Sequence, residues 1–261
     1  SVKISNKKTL MQATYGLLGK KLKHSFSKLY FEAKFESQKI DAAYELFELE
    51  DINEFPRLLS EYTYLKGLNI TIPHKQQIIP YLDELDPEAK EVGAVNTLVI
   101  RGEKIKGYNT DVYGFHHSLI RFIPKDMKKT QAIILGTGGA SRAVQFVLQH
   151  YYQFPCVRVS RKDRQTEGVI TYEEMRALDF KKHKLIVNTT PLGMHPLIEG
   201  CPDFPFEKLS DKHLVYDLIY NPERTVFLNQ AAARNAHVKN GLEMLYLQAE
   251  RAWEIWNQDA L

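Results

Sequence analysis

The sequence holds only two cysteines, Cys156 and Cys201, among 261 residues. They have neither metal-site nor redox-motif spacing, and two thiols make a poor disulfide framework, so a reducing, cytoplasmic setting is expected. Long apolar runs are missing as well. None approaches the roughly 20 residues that a membrane helix needs, and the opening SVKISNKKTLMQ is polar rather than signal-like. Residues 1–10, ahead of Met11, read as a leader or tail. Charge of one sign is scarce: 35 Lys and Arg against 32 Asp and Glu leave a formal net charge of +3. A nucleic-acid binder would gather its basic residues in a patch or stripe, whereas a cluster such as KDMKK at 125–129 falls between predicted elements. The nine histidines include no HExxH pair, which leaves no metal site in view, and His116 and His117 are expected on a helix surface. No serine combines a GxSxG elbow with triad partners.

What is present is an α/β pattern long enough for one large domain or two modest ones. Over the first 110 residues, strands are expected at Thr14–Leu18, Tyr44–Leu49 and Leu68–Ile72, and helices at Ser27–Phe35 and Ile52–Tyr62. The first helix is read from apolar spacing at Leu29, Phe31 and Phe35, and the third strand from its apolar/polar alternation. Thr97–Ile100 and Lys104–Tyr108 read as a hairpin turning through Gly102 and Glu103. A helix from Asp111 to Ile123 links to the next unit. From Gln131 on, the strands AIIL (132–135), VRVS (157–160), LIVN (185–188) and LVYDLI (214–219) are continuous apolar runs, the mark of a parallel sheet covered on both faces. Helices are expected at Ala140–Gln149 and near Tyr172–Leu178. The last helix, Leu242–Trp256, carries Leu245, Ala249, Ala252, Trp253 and Trp256 on one face.

Two places carry chemistry that spacing alone supports. Gly136-Thr137-Gly138-Gly139-Ala140-Ser141 lies between a buried strand and a helix. Glycines there let the backbone approach a pyrophosphate, and the helix N-terminus adds amide donors and a favourable dipole. The next strand ends in Ser160-Arg161-Lys162 with no acid at its tip, and Arg161 offers a planar cationic fork suited to a 2′-phosphate. Lys162 and Arg164 stand nearby, so NADP is expected rather than NAD. Elsewhere polar residues gather where strands end: Ser25, Ser27, Asn69, Thr71, Lys75, Asn96, Thr110 and Asp111. Hydroxyls, amides, one cation and one carboxylate suit a polyhydroxylated acid, although Thr110 and Asp111 are also good helix caps.

The motifs HSFS, GLNITIPHK, GAVNT, GYNTD, GTGGAS, VNTTPLGM, DLIYNP with Thr225, and GLEMLYLQA stand in the order in which the shikimate dehydrogenase family carries them, and the chain resembles that family from Tyr15 to near its C-terminus. The resemblance implies an N-terminal α/β substrate domain (1–110 and 241–261, the C-terminal helix returning to it) and a Rossmann-like NADP-binding domain (111–240). It implies reversible reduction of 3-dehydroshikimate to shikimate, with that small molecule as substrate and with no nucleic-acid or membrane partner, in a monomer or homodimer. Lys75 and Asp111 match the family's catalytic pair. Ser25 and Ser27 match its carboxylate ligands. Asn69, Thr71, Asn96, Asp111 and Gln248 would meet ring hydroxyls, and Tyr220 would enclose the acid end. Gly136, Gly138, Gly139, Ala140, Ser160, Arg161 and Gly241 match cofactor positions. Two residues depart from the pattern: Lys28 stands where the family usually has proline, and Ser160 where it has asparagine. Activity on quinate, use of NAD, and a catalytically silent ligand-binding protein on the same scaffold are the alternative readings.

Overall fold

A computed structural model describes residues 13–22, 25–125, 127, 130–162 and 166–258; the expected leader or tail at 1–10, His24 of the HSFS motif and Arg164 lie outside them. The chain divides into two compact units, 1–110 with 249–261, and 111–248.

The first unit runs β1 (Ala13–Gly19), α1 (Phe26–Ser37), β2 (Ala42–Glu48), α2 (Phe55–Glu61), β3 (Leu65–Ile70), β4 (Glu84–Leu85), α3 (Pro87–Val92), β5 (Thr97–Arg101) and β6 (Lys104–Tyr108). Its six-stranded sheet is ordered β2-β1-β3-β5-β6-β4. β1 pairs parallel with β2 and β3, and β5 pairs antiparallel with β3 and β6. The β5–β6 turn passes through Gly102 at φ +61, as its sequence predicts. Both faces are covered. Leu18, Phe47, Phe55, Leu68 and Leu98 form the core on one side; Tyr15, Leu17, Phe31, Tyr44 and Val99 form it on the other. β3 is therefore a central strand with Leu68, Asn69 and Ile70 all buried, not the half-buried strand its alternation predicts. It also ends at Ile70, and residues 72–78 turn away. In α1, Phe31 and Phe35 face the core four residues apart, while Leu29 is 72% exposed. Residues two apart do not share a helix face, so Leu29 never belonged to that stripe.

The second unit contains most of α4 (Thr110–Leu119), then β7 (Gln131–Leu135), α5 (Gly139–His150), β8 (Cys156–Ser160), β9 (Val169–Thr171), α6 (Tyr172–Arg176), β10 (His183–Asn188), β11 (Leu214–Asp217), α7 (Val226–Ala232), β12 (His237–Lys239) and much of α8 (Leu242–Trp256). Its sheet is all parallel, ordered β12-β11-β10-β7-β8-β9. Counted within the unit this is 6-5-4-1-2-3, the doubly wound order, with its switch point between β7 and β10. The strand cores Ile133, Ile134, Val187 and Val215 are fully buried, as continuous apolar runs require.

Residues 249–261 belong to the first unit. Lys34 on α1 holds Glu250 on α8 through two contacts of 3.0 Å. The Trp256 indole N–H donates to the Leu98 carbonyl at 2.9 Å. A Cβ on Gly67 would lie 2.6 Å from Trp256 Cδ1, so only glycine lets β3 pass beneath that ring. Among the described residues no helix is long and apolar enough to cross a membrane, and no group of His, Cys, Asp or Glu could hold a metal ion.

Candidate active site

Within the first unit, three of the predicted polar residues, Asn69, Asn96 and Thr110, join a connected set. Ser25 is the N-cap of α1, its Oγ accepting from the Lys28 N–H at 3.4 Å. A proline at 28 has no such donor, so the lysine departure gives Ser25 an extra cap bond. Tyr44 Oη donates to Asn69 Oδ1 at 2.7 Å. Asn69 Nδ2 donates to Thr97 Oγ1 at 3.3 Å, and Thr97 Oγ1 donates to Asn96 Oδ1 at 3.1 Å. Asn96 Nδ2 in turn donates to Thr110 Oγ1 at 3.0 Å, and Asn96 Oδ1 accepts from the Thr110 N–H at 2.7 Å. Tyr44, Asn69, Asn96, Thr97 and Thr110 are all buried. Every one is hydrogen-bonded, which makes a polar cluster of this size tolerable inside a core. Tyr44 and Thr97 were not legible as site residues: a tyrosine and a threonine in strands read first as packing.

Lys75 lies in the turn after β3, half-buried. The preceding His74 is buried, with Nε2 2.9 Å from the Leu49 carbonyl and Nδ1 2.8 Å from Gln77 Oε1. That inward histidine anchors the turn. The Lys75 carbonyl accepts from the Val95 N–H at 2.8 Å, which ties its backbone to the residue before Asn96. Thr71 donates its N–H to the Leu18 carbonyl at 2.9 Å, and its own carbonyl accepts from the His74 N–H at 2.9 Å. Asp111 follows Thr110 in the first turn of α4 and is buried. A carboxylate there gains from the helix dipole. The capping oxygen for this helix is the Asn96 side chain, not a residue of the helix itself.

In the second unit, α4 meets α8 at Gly114, where a Cβ would stand 2.7 Å from the Met244 carbonyl and 3.1 Å from Gln248 Cβ. Gln248 thus lies against α4 one turn from Asp111, its Nε2 donating to the Leu245 carbonyl at 2.9 Å. The glycine loop occupies the switch point. Gly136, at φ +109, donates its N–H to the Val159 carbonyl at 2.9 Å, and a Cβ on it would meet Thr189 Oγ1 at 2.6 Å. Gly138 opens α5 with no side-chain cap, and a Cβ on it would meet no atom within 4 Å. Gly139 and Ala140 form the first turn. Ser160 is buried at the end of β8, its Oγ accepting from the Lys162 N–H at 3.2 Å, while Arg161 is exposed. An open glycine cradle, a helix N-terminus and an exposed arginine beside them fit the pyrophosphate and 2′-phosphate of NADP.

Two motifs brace the strands at this switch point. Asn188 on β10 donates to Asp217 Oδ1 at 3.0 Å, and its own oxygen accepts from the Thr190 N–H and hydroxyl at 3.0 and 2.8 Å. Asp217 Oδ2 accepts from Thr225 Oγ1 at 2.7 Å, and Thr225 caps α7. Burial pushes the Asp217 carboxyl up to about 6, with hydrogen bonds from Thr225, Ile219 and Asn188 opposing the rise. Tyr220 follows, half-buried. The neighbouring Ile219 carbonyl accepts from the Gly241 N–H at 3.1 Å, and a side chain at 241 would overlap the Leu218 carbonyl. His116 departs from its expected surface position. It is half-buried, stacked on Tyr151 at 4.2 Å, and burial lowers its pKa, with His117 adding to the effect.

The substrate binding domain of shikimate dehydrogenase, as a family model, matches residues 17–98. The shikimate dehydrogenase (NADP(+)) of Clostridium beijerinckii is 39% identical over 255 residues, 94% of this chain and 92% of that protein. Among solved structures, shikimate dehydrogenase 1 of Peptoclostridium difficile is 34% identical with a TM-score of 0.80, covering 95% of this chain and 92% of that one. Shikimate 5-dehydrogenase of Thermus thermophilus, in complex with NADP(H) and shikimate, is 30% identical with a TM-score of 0.80, covering 94% and 93%.

Proposed function

This chain belongs to the shikimate dehydrogenase family, and we propose that its two units divide one reaction between substrate and cofactor. It is an NADP-dependent oxidoreductase that reversibly reduces 3-dehydroshikimate to shikimate. In this division the first unit, with the return of α8, binds the substrate. The second holds NADP at the switch point through Gly136, Gly138, Gly139, Ala140, Ser160, Arg161 and Gly241. When bound, the reduced cofactor supplies the hydride. Ser25 and Ser27 hold the substrate carboxylate; Asn69, Thr71, Asn96, Asp111 and Gln248 orient the ring hydroxyls; Tyr220 closes the acid end.

Lys75 acts at the oxygen that changes charge. Reduction of a ketone leaves negative charge on oxygen, and an ammonium aimed there stabilises it and delivers the proton. Asp111 orients the reacting hydroxyl. The observation that carries this reading is the connected set Tyr44–Asn69–Thr97–Asn96–Thr110, a continuous buried polar chain that ends one residue short of Asp111. The enzyme works as a monomer or homodimer, and its two free thiols suit the cytoplasm.

The test is a spectrophotometric assay with shikimate and NADP, repeated with quinate and with NAD, on the parent and on Lys75→Ala. Lys75→Ala lowers kcat by about 10²–10⁴-fold, with a much smaller change in the KM for shikimate. Near-parental kcat removes Lys75 from the mechanism, and no turnover of shikimate by the parent ends the reading.

A further inference from the structure

We propose that His74 is a positioning residue for Lys75: its buried ring, clamped between the Leu49 carbonyl and the Gln77 amide, fixes the point from which the ammonium group is presented. The inference rests on the reading of Lys75 as the catalytic lysine given above.

A lysine does not by itself hold a charge at one point, because its four-carbon stem is flexible and its ammonium lacks a rigid fork. The stem also starts from residues 72–78, an irregular turn rather than a helix or strand. The base of the stem must therefore be fixed by contacts of the residues around it. On one side the Lys75 carbonyl accepts from the Val95 N–H at 2.8 Å. On the other stands His74, 1% exposed although its neighbours Pro73 and Lys75 are not buried. A buried imidazole needs a partner for each nitrogen. Both have one: Nε2 lies 2.9 Å from the Leu49 carbonyl and Nδ1 lies 2.8 Å from Gln77 Oε1.

The Leu49 carbonyl can only accept, so Nε2 carries a proton. Nδ1 is then a donor in the charged ring and an acceptor in the neutral one. Gln77 meets either, with its amide oxygen or, turned over, with its amide N–H, so the ring is held in both forms. The partners are themselves fixed. The Leu49 N–H donates to the Gly19 carbonyl at the end of β1 at 2.9 Å. Gln77 lies in the same turn as His74, and the next residue, Ile78, closes that turn by donating its N–H to the His74 carbonyl at 3.0 Å. The ring thus ties the residue before Lys75 to the ends of β1 and β2. Packing alone would need neither bond, since a phenylalanine fills a similar volume without them.

His74→Phe keeps a ring in the core and removes both bonds. The ammonium is then displaced by about 1 Å, and kcat falls about 10- to 100-fold. The KM for shikimate and the affinity for NADP stay within about threefold of the parent. His74→Gln restores a donor that reaches the Leu49 carbonyl and brings kcat back to within about fivefold of the parent; a variant no more active than His74→Phe overturns the proposal. In a Lys75→Ala background, His74→Phe changes the residual kcat by no more than about twofold, because the group it positions is already gone. A merely structural role lowers kcat by the same factor with or without Lys75, and that result overturns the proposal, as does parental kcat in His74→Phe. If His74→Phe does not fold, Gln77→Ala withdraws half of the clamp from an exposed position. It lowers kcat about three- to tenfold, and parental kcat in that variant overturns the proposal equally. Should Lys75→Ala alone retain parental kcat, the catalytic assignment itself fails, and the proposal with it.

Discussion

Gly136 and Gly138 stand two residues apart in one loop, yet they are glycine for different reasons, and substituting each with alanine separates folding from binding. Gly136 sits at φ +109, a backbone conformation that side chains rarely adopt, and a Cβ there would lie 2.6 Å from Thr189 Oγ1. That hydroxyl is fixed, donating to the Leu135 carbonyl at 2.6 Å. Backbone strain of about 1–3 kcal/mol and a similar overpacking term place the loss of stability for Gly136→Ala at about 2–6 kcal/mol. Gly138 has φ −79 and nothing within 4 Å of its would-be Cβ. Alanine there loses a little as an N-cap and gains a comparable amount by restricting the unfolded chain, so stability stays within about 1 kcal/mol. The protein itself gives no reason for glycine at 138. A phosphate lying against the backbone does. A methyl group in that space displaces the phosphate from the amide donors of α5, and losing one or two charge-assisted bonds lowers NADP affinity by about 10- to 100-fold. Calorimetric titration with NADP, with shikimate as the control ligand, reads the binding. Hydrogen exchange of peptides from β7 and α5 reads the local stability. Gly138→Ala with parental NADP affinity, or with the exchange behaviour of Gly136→Ala, refutes the cradle.

Gly67→Ala drives a methyl group into Trp256 and endangers its bond to the Leu98 carbonyl, so the first unit loses about 2–4 kcal/mol. Both tryptophans of the chain, Trp253 and Trp256, lie on the returning end of α8, so denaturant unfolding followed by intrinsic tryptophan fluorescence reports this docking alone; an unshifted midpoint contradicts it. Asp217 supplies a pH dependence of the opposite sign to a salt-bridged carboxylate. Burial raises it from 3.8 to about 6, so the folded state holds the proton more tightly than the unfolded chain. Its stabilising contribution is complete below the unfolded value and disappears as pH rises through the folded one, a difference of about 3 kcal/mol. Asp217→Asn flattens that component in urea unfolding followed by far-UV circular dichroism across pH 4 to 7, whereas parallel curves for the two proteins exclude it.

Legibility from sequence followed the range of the interactions that decide each feature. The strands of the second unit were plain because a doubly covered parallel strand is apolar at every position, and Ile133, Ile134, Val187 and Val215 need no partner to declare it. The pieces not anticipated are short: β4, β9 and β12 have two or three residues, and α3 and α7 have six and seven. Segments of that length carry too little periodicity to stand out from loops. The third strand misled in the other direction. Its Asn69 read as the polar side of a half-exposed strand, but Tyr44 and Thr97 satisfy it inside the core, and only the strand order puts those two residues within reach.

The site divides along the same line. Residues whose chemistry is displayed by their own backbone setting, such as the glycines between a strand and a helix, or Arg161 at a strand tip without an acid, could be argued from spacing. Lys75 could not be placed from local pattern, because what makes it more than a surface lysine is His74 turned inward to the Leu49 carbonyl and Val95 holding its backbone beside Asn96. The motifs around Asn188 and Asp217 show the converse. Their polar residues look as chemical in sequence as Asn69 or Asp111, yet their hydrogen bonds run to one another and to Thr190, Ile219 and Thr225, and their work is to hold β10, β11 and α7 in place beside the switch point. A motif thus marks residues that must be kept together. Whether they are kept for the reaction or for the frame around it depends on where their donors and acceptors are directed, which only the folded chain decides.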